Sequence, residues 1–347
     1  MARRREAMAS GVALAFLLSV GLAAQVDKKT EDAIKKEAQA LQKLADAALV
    51  AQGTANDLNV TWVKEDFLRG TKDKQFVPFT ITLDPTKVTP GSTLALYYRV
   101  VPTPAPGAAV DPKKQVKPVW ESIFPVTVTA DKNPMRLSRS FTAEAGSYDV
   151  YLVAKEVQAD RPKNAPPLKT VVLKQTVNVP NFWNEELSTS SVIVYQRIEP
   201  LAAPLNSQQQ AERPYAMGAA EIIPQENMKL SKASELSTLL FIYNPKGDSA
   251  NKPDVTIEYN FCQIMPGNEP KPEEPCKTGE KFFNKTNPEP LNGTTLDPAF
   301  DVKVMPIQTG QAVPLSAFPP GDYRLEIKVV DKLANKTITR DVNFSVS

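Results

Sequence analysis

The residue types that could do chemistry are few in this sequence, and histidine is missing altogether. Without an imidazole the chain cannot build a Ser-His-Asp or Cys-His nucleophile, a histidine-ligated zinc site or a histidine general base at neutral pH. The sequence also lacks a nucleophile elbow, a Walker loop and the dinucleotide-binding glycine pattern. These absences exclude the commonest designs of hydrolases and of nucleotide-dependent enzymes.

Two further patterns could carry catalysis. Ser249 and Lys252 have the spacing of a Ser-x-x-Lys nucleophile, but they lie in a polar stretch typical of a turn, and we interpret the match as chance. Paired carboxylates could hydrolyse a glycoside, although the acidic pairs at 185–186 and 273–274 are more simply solvated loop charges. We therefore predict no catalytic, cofactor-binding or metal-binding residue, no cofactor and no enzymatic activity.

Cys262 and Cys276 are the only cysteines, and the stretch between them is rich in proline. In an exported chain such a pair predicts a disulfide that closes a hairpin loop. The chain-entropy model assigns a loop of this size about 3 kcal/mol of stabilisation. The alternative is two free thiols or a metal pair, for which the sequence offers no third or fourth soft ligand.

The first 24 residues have the organisation of a secretory signal peptide. An Arg-rich start precedes an apolar core at about 11–22, and Ala24 and Gln25 flank the predicted cleavage site. The core is too short to span a membrane comfortably, and an uncleaved signal anchor is the alternative. We therefore predict a periplasmic or secreted protein that is not inserted in the membrane once the signal is removed.

Charge gives no evidence for a nucleic-acid partner. The chain has 41 basic and 39 acidic residues, and the signal peptide contains three of the arginines and one of the glutamates, so the mature protein is neutral. A neutral chain without a basic block argues against nucleic acid or an anionic membrane surface as its main partner.

Residues 26–53 form a predicted amphipathic helix. The segment is rich in strong helix formers and contains no Pro, and its one Gly is the last residue. The apolar stripe consists of Ile34, Ala38, Leu41, Ala45 and Ala48, with Leu44 and Leu49 beside them. We interpret the helix as one that docks on the first β domain or spaces it from the membrane. A self-associating coiled coil and a loosely ordered tail are the alternatives.

Two similar strand pairs organise the rest of the chain. Residues 321–329 alternate apolar and charged types and lead into 336–346, and a similar pair occupies 145–153 and 170–179. Each pair begins with Gly-x-Tyr, which is typical of the tyrosine corner of immunoglobulin-like sandwiches, so Tyr148 and Tyr323 are predicted structural residues. The repeat predicts two similar domains.

The predicted fold is mainly β, with two tandem immunoglobulin-like β-sandwich domains, 56–180 and 181–347, preceded by the N-terminal α-helix. Seven short strand candidates with turn signals between them favour a sandwich over a βαβ fold in the first domain. A run at 93–99 has a rough counterpart at 235–243, which supports a duplication. The excess of 31 Pro over 14 Gly fits strands with protected edges.

Trp183 is the one of the three tryptophans that is a candidate for an exposed aromatic contact. Phe182 and Trp183 lie where the first domain should end, and such a pair either packs between domains or leaves Trp183 exposed to anchor a ligand or partner. These two are the predicted interaction residues. Trp62 and Trp120 are predicted to be strand core residues.

Several segments carry a resemblance to uncharacterised exported bacterial proteins. They are 66–70, 76–80, 182–184, 189–191, 210–215, 281–286 and 321–346. The second half is similar to the β-sandwich region found after GWxTD domains in some bacterial proteins. The GWxTD motif itself is absent here, and the resemblance implies a fold but no activity.

The predicted function is that of an exported, non-enzymatic binding or scaffolding module of the bacterial cell envelope. It would act through contacts with another envelope protein or cell-surface component. The alternative is a carbohydrate-active module, either a lectin-like binder or a carboxylate-dependent glycoside hydrolase. Two exposed tryptophans lying flat on one surface near paired acids would favour this alternative, and three buried tryptophans would oppose it.

Overall fold

The computed structural model describes residues 39–47, 56–71, 73–104, 117–129, 131–158 and 164–347. The predicted signal peptide, with Ala24 and Gln25, lies outside these residues, as do both ends of the predicted helix. The described chain is mainly β, with several sheets and a helix before the first strand, so the fold class predicted from the sequence is confirmed.

The elements are numbered in chain order. The helices are α1 (39–47) and α2 (Ser207–Glu212), and Pro85–Lys87 form a 3-10 turn. The strands are β1 (Thr61–Glu65), β2 (Leu68–Arg69), β3 (Gln75–Leu83), β4 (Thr93–Pro102), β5 (Trp120–Val126), β6 (Met135–Ala143), β7 (Gly146–Val157), β8 (Thr170–Val179), β9 (Ser188–Thr189), β10 (Ile193–Pro200), β11 (Ala216–Met217), β12 (Ala220–Pro224), β13 (Lys229–Leu230), β14 (Glu235–Tyr243), β15 (Asp254–Ile264), β16 (Glu280–Lys285), β17 (Glu289–Asn292), β18 (Ile307–Thr309), β19 (Ala312–Pro314), β20 (Gly321–Asp331) and β21 (Lys336–Val346).

The chain forms two units that alternate along the sequence. The first unit contains the described residues up to Lys64, then Thr80–Leu137 and Gly146–Asn178. The second unit contains Glu65–Phe79, Ser138–Ala145 and Val179–Ser347. A single boundary at residue 180 would assign the two short segments to the first domain, whereas both cluster with the second unit.

The first unit is built around a sheet with the strand order β5-β4-β7-β8. Consecutive residues along β4 are buried, including Leu96, Tyr97, Tyr98, Val100 and Val101. Successive side chains of a strand point to opposite faces, so this pattern means that both faces of the sheet are covered.

Helix α1 covers one of these faces. Leu41 and Ala45, four residues apart on the helix, are fully buried in a cluster with Tyr97. The Asp46 carboxylate forms an ion pair with the Arg99 guanidinium, Oδ1 to Nη1 2.6 Å. The helix therefore docks on a sheet of the first unit, as the first interpretation of its apolar stripe predicts. Self-association through this helix stays a prediction. Two residues of its apolar stripe, Leu41 and Ala45, are already buried against the sheet.

The seven strands predicted between residues 58 and 179 correspond to β1, β3, β4, β5, β6, β7 and β8. A four-stranded sheet has the order β1-β3-β2, and β6 also pairs with β3. Strand β2 was not predicted from the sequence, because two residues are too few to show a period-2 pattern.

Two sheets share one core in the second unit. One has the order β11-β12-β10-β14-β18, with β9 and β19 also on β14, and the other has the order β13-β21-β20-β15-β16, with β17 also on β15. Leu240 of the first sheet lies in the same buried cluster as Ile257 and Leu325 of the second. Two sheets that face each other across a common apolar core form a β-sandwich.

Helix α2 occupies the crossover after β10. The Asn206 side chain accepts a hydrogen bond from the Gln209 N–H at 2.9 Å, and the Gln209 side chain accepts one from the Asn206 N–H at 3.1 Å. This reciprocal pair is a capping box, which satisfies two backbone donors and fixes where the helix begins.

The strand order around each Gly-x-Tyr hairpin is the same. In the first unit it is β5-β4-β7-β8, and in the second it is β16-β15-β20-β21, with β13 added at the edge. Gly146 and Gly321, which begin β7 and β20, have φ values of 153° and 150°, and residues with a Cβ rarely adopt them. The shared order and backbone conformation support a duplication.

The duplication relates β4 to β15 and not to β14. The sequence comparison of 93–99 with 235–243 selects β14, which lies in the other sheet and does not pair with the Gly-x-Tyr strand. In contrast, β15 pairs along β20 as β4 pairs along β7. That detail of the sequence comparison is wrong, because apolar alternation does not record which strands are neighbours.

Both predicted corner tyrosines are buried. The Tyr323 hydroxyl donates a hydrogen bond to the Pro319 carbonyl oxygen at 2.7 Å, which is the backbone contact that defines a tyrosine corner. Tyr148 occupies the same position at the start of β7. The Tyr323 hydroxyl thus fixes the turn that leads into the final hairpin.

We expect Tyr323→Phe to lower the free energy of unfolding by about 1 kcal/mol, because it removes one intramolecular hydrogen bond and no ring packing. Equilibrium urea unfolding measures the change. Tyr195→Phe is the matched control, since that hydroxyl makes no hydrogen bond within the described residues. Equal losses in the two variants would contradict this role of Tyr323.

The predicted disulfide is present. Cys262 and Cys276 are bonded, with a Cα–Cα distance of 5.7 Å. Cys262 is the cross-strand partner of Arg324, so both side chains lie on the face of the sheet opposite the core. Both residues are nevertheless buried, because the loop that the disulfide closes folds over this face.

Arg324 lies at the centre of a charged network under the disulfide loop. Its Nε and Nη2 atoms each lie 2.7 Å from a different oxygen of Glu280, and Nη1 lies 2.8 Å from the Asp341 carboxylate. Nη2 also donates to the Pro275 carbonyl oxygen at 2.9 Å. Burial alone would raise the pKa of Glu280, but the hydrogen bonds from Arg324 and from the Lys277 N–H outweigh it and lower the pKa.

Candidate functional site

The two predicted interaction residues differ in exposure. Phe182 is only 3% exposed and its ring packs against Tyr243, with 4.9 Å between ring centroids. Trp183 is 38% exposed. The aromatic pair therefore contributes one core residue and one surface residue to the second unit, and only Trp183 is available to another molecule.

The site around Trp183 depends on Arg69, which ends β2. Leu68 and Arg69 pair with Phe76 and Gln75 of β3. Leu68 is buried in an apolar cluster, and the next side chain along a strand points the opposite way, so Arg69 is directed out of that cluster. The Arg69 N–H donates to the Tyr243 hydroxyl at 3.0 Å, which fixes the backbone at this position.

The Arg69 guanidinium lies over two aromatic rings. Its central carbon is 4.9 Å from the Trp183 ring centroid and 4.5 Å from that of Tyr243. The Nη2 atom donates to the Phe182 carbonyl oxygen at 2.7 Å and to the Asn244 side-chain oxygen. We call Arg69, Phe182, Trp183, Tyr243 and Asn244 the Arg69 cluster.

The electrostatics of the Arg69 cluster favour one charge state. Burial lowers the pKa of Arg69 from a very high ordinary value, and burial raises the pKa of Tyr243 to about 12. At neutral pH the cluster therefore contains a guanidinium cation and a neutral phenol. The contact between a cation and an aromatic face is favourable by about 0.5–2 kcal/mol, and the larger values apply when the cation is desolvated.

Trp183 is held in place despite its exposure. The indole Nε1–H donates to the Lys74 carbonyl oxygen at 3.0 Å, and the Trp183 N–H donates to the Asn181 side-chain oxygen at 2.8 Å. One face of the indole lies against Arg69. An exposed aromatic side chain with these contacts is preorganised, so little side-chain entropy is lost when a partner covers it.

Three of the segments on which the expected resemblance rests converge beside this cluster. The Tyr215 hydroxyl donates to the Asp66 carboxylate at 2.6 Å, and both groups are buried. The Phe67 N–H donates to the Ser191 hydroxyl, and the Ser191 N–H donates to the Phe67 carbonyl oxygen, each at 2.9 Å. These contacts attach residues 66–69 to the rest of the second unit.

Sequence reasoning did not identify Arg69, Tyr243 or Asn244 as part of a site. Arg69 and Tyr243 are 174 residues apart along the chain. Neither residue stands in a motif with a recognisable spacing, and no periodicity relates two strands of different sheets. The only signal in a single sequence was that residues 66–70 and 182–184 both belong to the resemblance.

The weak catalytic match has a structural explanation. The Lys252 ammonium donates to the carbonyl oxygens of Pro298 and Phe300, at 2.6 and 2.5 Å, and no hydrogen bond joins it to Ser249. Lys252 therefore anchors a loop. The acidic pair at 185–186 is exposed, and Glu186 forms a surface ion pair with Lys336, 2.6 Å.

One group of potential metal ligands occurs in the part of the chain that the structure describes. It consists of Cys262, Cys276 and Glu280. The two sulfur atoms are bonded to each other, and both Glu280 oxygens accept hydrogen bonds from Arg324. A disulfide sulfur is not a thiolate ligand, so these residues do not fit a metal ion.

The two remaining tryptophans are not core residues. Trp62 in β1 and Trp120 in β5 are both half-buried, and the Trp120 indole N–H donates to the Tyr98 hydroxyl at 3.2 Å. The prediction that both lie in the core is therefore wrong. Both side chains stay partly accessible, which the alternation of residue types along a strand does not reveal.

No helix among the described residues is long and apolar enough to cross a membrane. The disulfide is compatible with an exported protein, since disulfides persist mainly in oxidising compartments.

Comparison with known proteins gives only distant similarities. No family model and no curated protein matches the chain. The Salmonella alpha-2-macroglobulin reacted with methylamine is 12% identical over 86% of this chain and 17% of that chain, with a TM-score of 0.21. The native E. coli alpha-2-macroglobulin is 8% identical over 85% of this chain and 15% of that one, also with a TM-score of 0.21. The chain thus spans less than a fifth of these structures, and no functional conclusion follows from a likeness at this level.

Proposed function

We propose that this protein is an exported, non-enzymatic binding or scaffolding module of the bacterial cell envelope, which acts through protein–protein contacts. The observation that carries the proposal is the half-exposed Trp183 stacked on Arg69. Trp and Arg are enriched among the residues that dominate binding energy at protein interfaces. A fixed indole beside a cation offers an apolar face and a polar rim together.

Export is supported by the signal-peptide pattern at residues 1–24 and by the disulfide between Cys262 and Cys276. A non-enzymatic role is supported by the composition, which lacks histidine, and by the structural use of Lys252 and Glu280. Binding is then the activity that the surface of the second unit supports best.

We expect Trp183→Ala to reduce recovery of a specific protein partner at least about tenfold, since truncating a central interface residue typically costs about 2 kcal/mol or more. The mature chain from residue 25 to 347 is the bait, and the envelope extract of its own host supplies the partner. Quantitative mass spectrometry of the captured proteins measures the recovery.

The matched control is Val304→Ala, which truncates an apolar side chain that is 78% exposed elsewhere on the second unit. Urea unfolding of each bait shows whether it is folded. Equal recovery with wild-type and Trp183→Ala baits would contradict the proposed site.

The carbohydrate-active module is the second candidate, and it rests on the same exposed indole. Sugar-binding sites use flat aromatic faces, but Arg69 already covers one face of Trp183. Retention of the wild-type chain on cell-wall glycans, without a protein partner and with loss in Trp183→Ala, would favour this candidate.

A further inference from the structure

The edge of the six-stranded sheet is open along most of β21. On one side β20 pairs with every residue from Lys336 to Val346. On the other side β13 pairs in parallel with Ser345 and Val346 only. Among the described residues, no strand covers the remaining length of this side. The chain therefore presents an edge of about nine residues, long enough for an added strand.

The direction of the backbone groups along this edge follows from the contact with β13. The Ser345 N–H donates to the Met228 carbonyl oxygen at 2.8 Å, and the Ser347 N–H donates to that of Leu230 at 2.9 Å. Alternate residues of a strand present their N–H and C=O groups to the same side. The open positions are Thr337, Thr339, Asp341 and Asn343.

Arg340 lies between these positions with its side chain on the core face. Its cross-strand partner is Ile327, which is fully buried, and directly opposite residues share one face of a sheet. Ile338 and Val342, two residues away on either side, pack partly buried against the core. The open edge thus carries a cation flanked by two apolar side chains on the same face.

The Arg340 guanidinium has no carboxylate within 4.0 Å among the described residues. Its Nη1 atom donates to the Thr339 carbonyl oxygen at 2.9 Å, which is one of the open edge groups. Burial lowers the pKa of Arg340, as expected for a partly desolvated cation without an anionic neighbour. A carboxylate from another molecule would supply the missing charge.

We propose that β21 binds an extended segment of another protein as an added strand, with an acidic residue opposite Arg340 and apolar residues two positions before and after it. Main-chain hydrogen bonds to the open positions would provide affinity, and the pattern apolar-x-acidic-x-apolar would provide specificity. The inference rests on the proposed protein-binding function but uses residues outside the Arg69 cluster, so either proposal can fail alone.

A protective role is the competing explanation for Arg340. Inward-pointing charges on edge strands hinder edge-to-edge aggregation. Such a role requires only a charge of either sign and no complementary partner. The two explanations therefore differ in whether binding depends on the sign of the charge opposite residue 340.

The test uses two fluorescein-labelled nine-residue peptides. One has Val, Glu and Val at positions 3, 5 and 7, the other has Val, Lys and Val there, and both have Thr at all other positions. Fluorescence anisotropy measures their binding to the mature chain. We expect the Glu peptide to bind at least about tenfold more tightly than the Lys peptide, since a close charge pair at an interface contributes about 1.5 kcal/mol or more. Arg340→Glu should reverse this preference.

Thr339→Pro is the matched backbone variant. Pro is tolerated on an edge strand where its missing N–H faces away from the sheet, so the variant should fold and yet bind neither peptide. Circular dichroism and urea unfolding establish that both variants are folded. Equal affinity for the two peptides, no binding of either at about 1 mM, or unchanged binding by folded Thr339→Pro or Arg340→Glu would overturn the proposal.

Discussion

Replacement of Arg324 by alanine is expected to lower the free energy of unfolding by about 3–5 kcal/mol, the usual cost of removing one partner from a buried ion pair. Arg324 is only 3% exposed and satisfies both oxygens of Glu280. Its removal takes the guanidinium away from the Glu280 carboxylate under the disulfide loop, which keeps only the Lys277 N–H and the nearby Lys277 charge, and leaves the Pro275 carbonyl oxygen without the Arg324 donor. Equilibrium urea unfolding of the oxidised mature chain measures the loss.

The control for Arg324→Ala is Arg197→Ala, which breaks the exposed pair with Glu199 and should cost less than about 1 kcal/mol. Proton linkage gives a second readout. In the wild type the pKa of Glu280 is lower in the folded chain than in the unfolded chain, so this carboxylate stabilises the fold at pH values above its unfolded pKa. The stabilisation is lost as the pH falls through the pKa of the folded state.

In Arg324→Ala the same buried carboxyl loses the hydrogen bonds from the guanidinium and keeps only those effects of Lys277, so its pKa should rise and its charge should destabilise the fold at neutral pH. Protonation of Glu280 removes that cost. The stability difference between the wild type and Arg324→Ala should therefore shrink as the pH falls from 7 towards about 4. A difference that does not depend on pH, or equal losses for Arg324→Ala and Arg197→Ala, would contradict the role of the network.

Replacement of both Cys262 and Cys276 by alanine is expected to lower the free energy of unfolding by about 3 kcal/mol, because the unfolded chain regains the entropy that a closed loop of this size removes. The two residues are 14 positions apart. Urea unfolding in the absence of reductant measures the loss.

The wild-type chain with its disulfide reduced is the natural comparison for the alanine pair. It should lose a similar amount of stability, whereas reductant should leave the alanine variant unchanged. Trypsin provides an independent check, since Lys277 directly follows the closed loop and should be cleaved faster once the disulfide is open. Unfolding midpoints that are the same with and without the disulfide would rule out this contribution.

Local patterns predicted the elements well because their physical causes are local. Alternating residue types are sufficient to place β7 and β20, since each strand carries its own period-2 signal. The disulfide could be predicted because an exported chain with two cysteines has one possible pairing. The docking of α1 through Leu41 and Ala45 follows from one apolar stripe.

Relations between distant segments could not be predicted from the sequence. The stacking of Arg69 on Trp183 and Tyr243 depends on how strands far apart in the chain are brought together, and neither residue type requires the other. The open edge at Arg340 is similar, because a strand pattern does not state which of its sides is paired. Site residues of this kind become visible only when the strand order is known.

The alternation of the two units along the chain has a consequence for how such a protein can be inherited or divided. Because Glu65–Phe79 and Ser138–Ala145 belong with the second unit, five junctions separate the units along the chain. A gene fragment that begins at codon 181 would encode Trp183 and Tyr215 but neither Arg69 nor Asp66, their partners in the second unit. A single crossover at any one of these junctions therefore cannot transfer either unit intact.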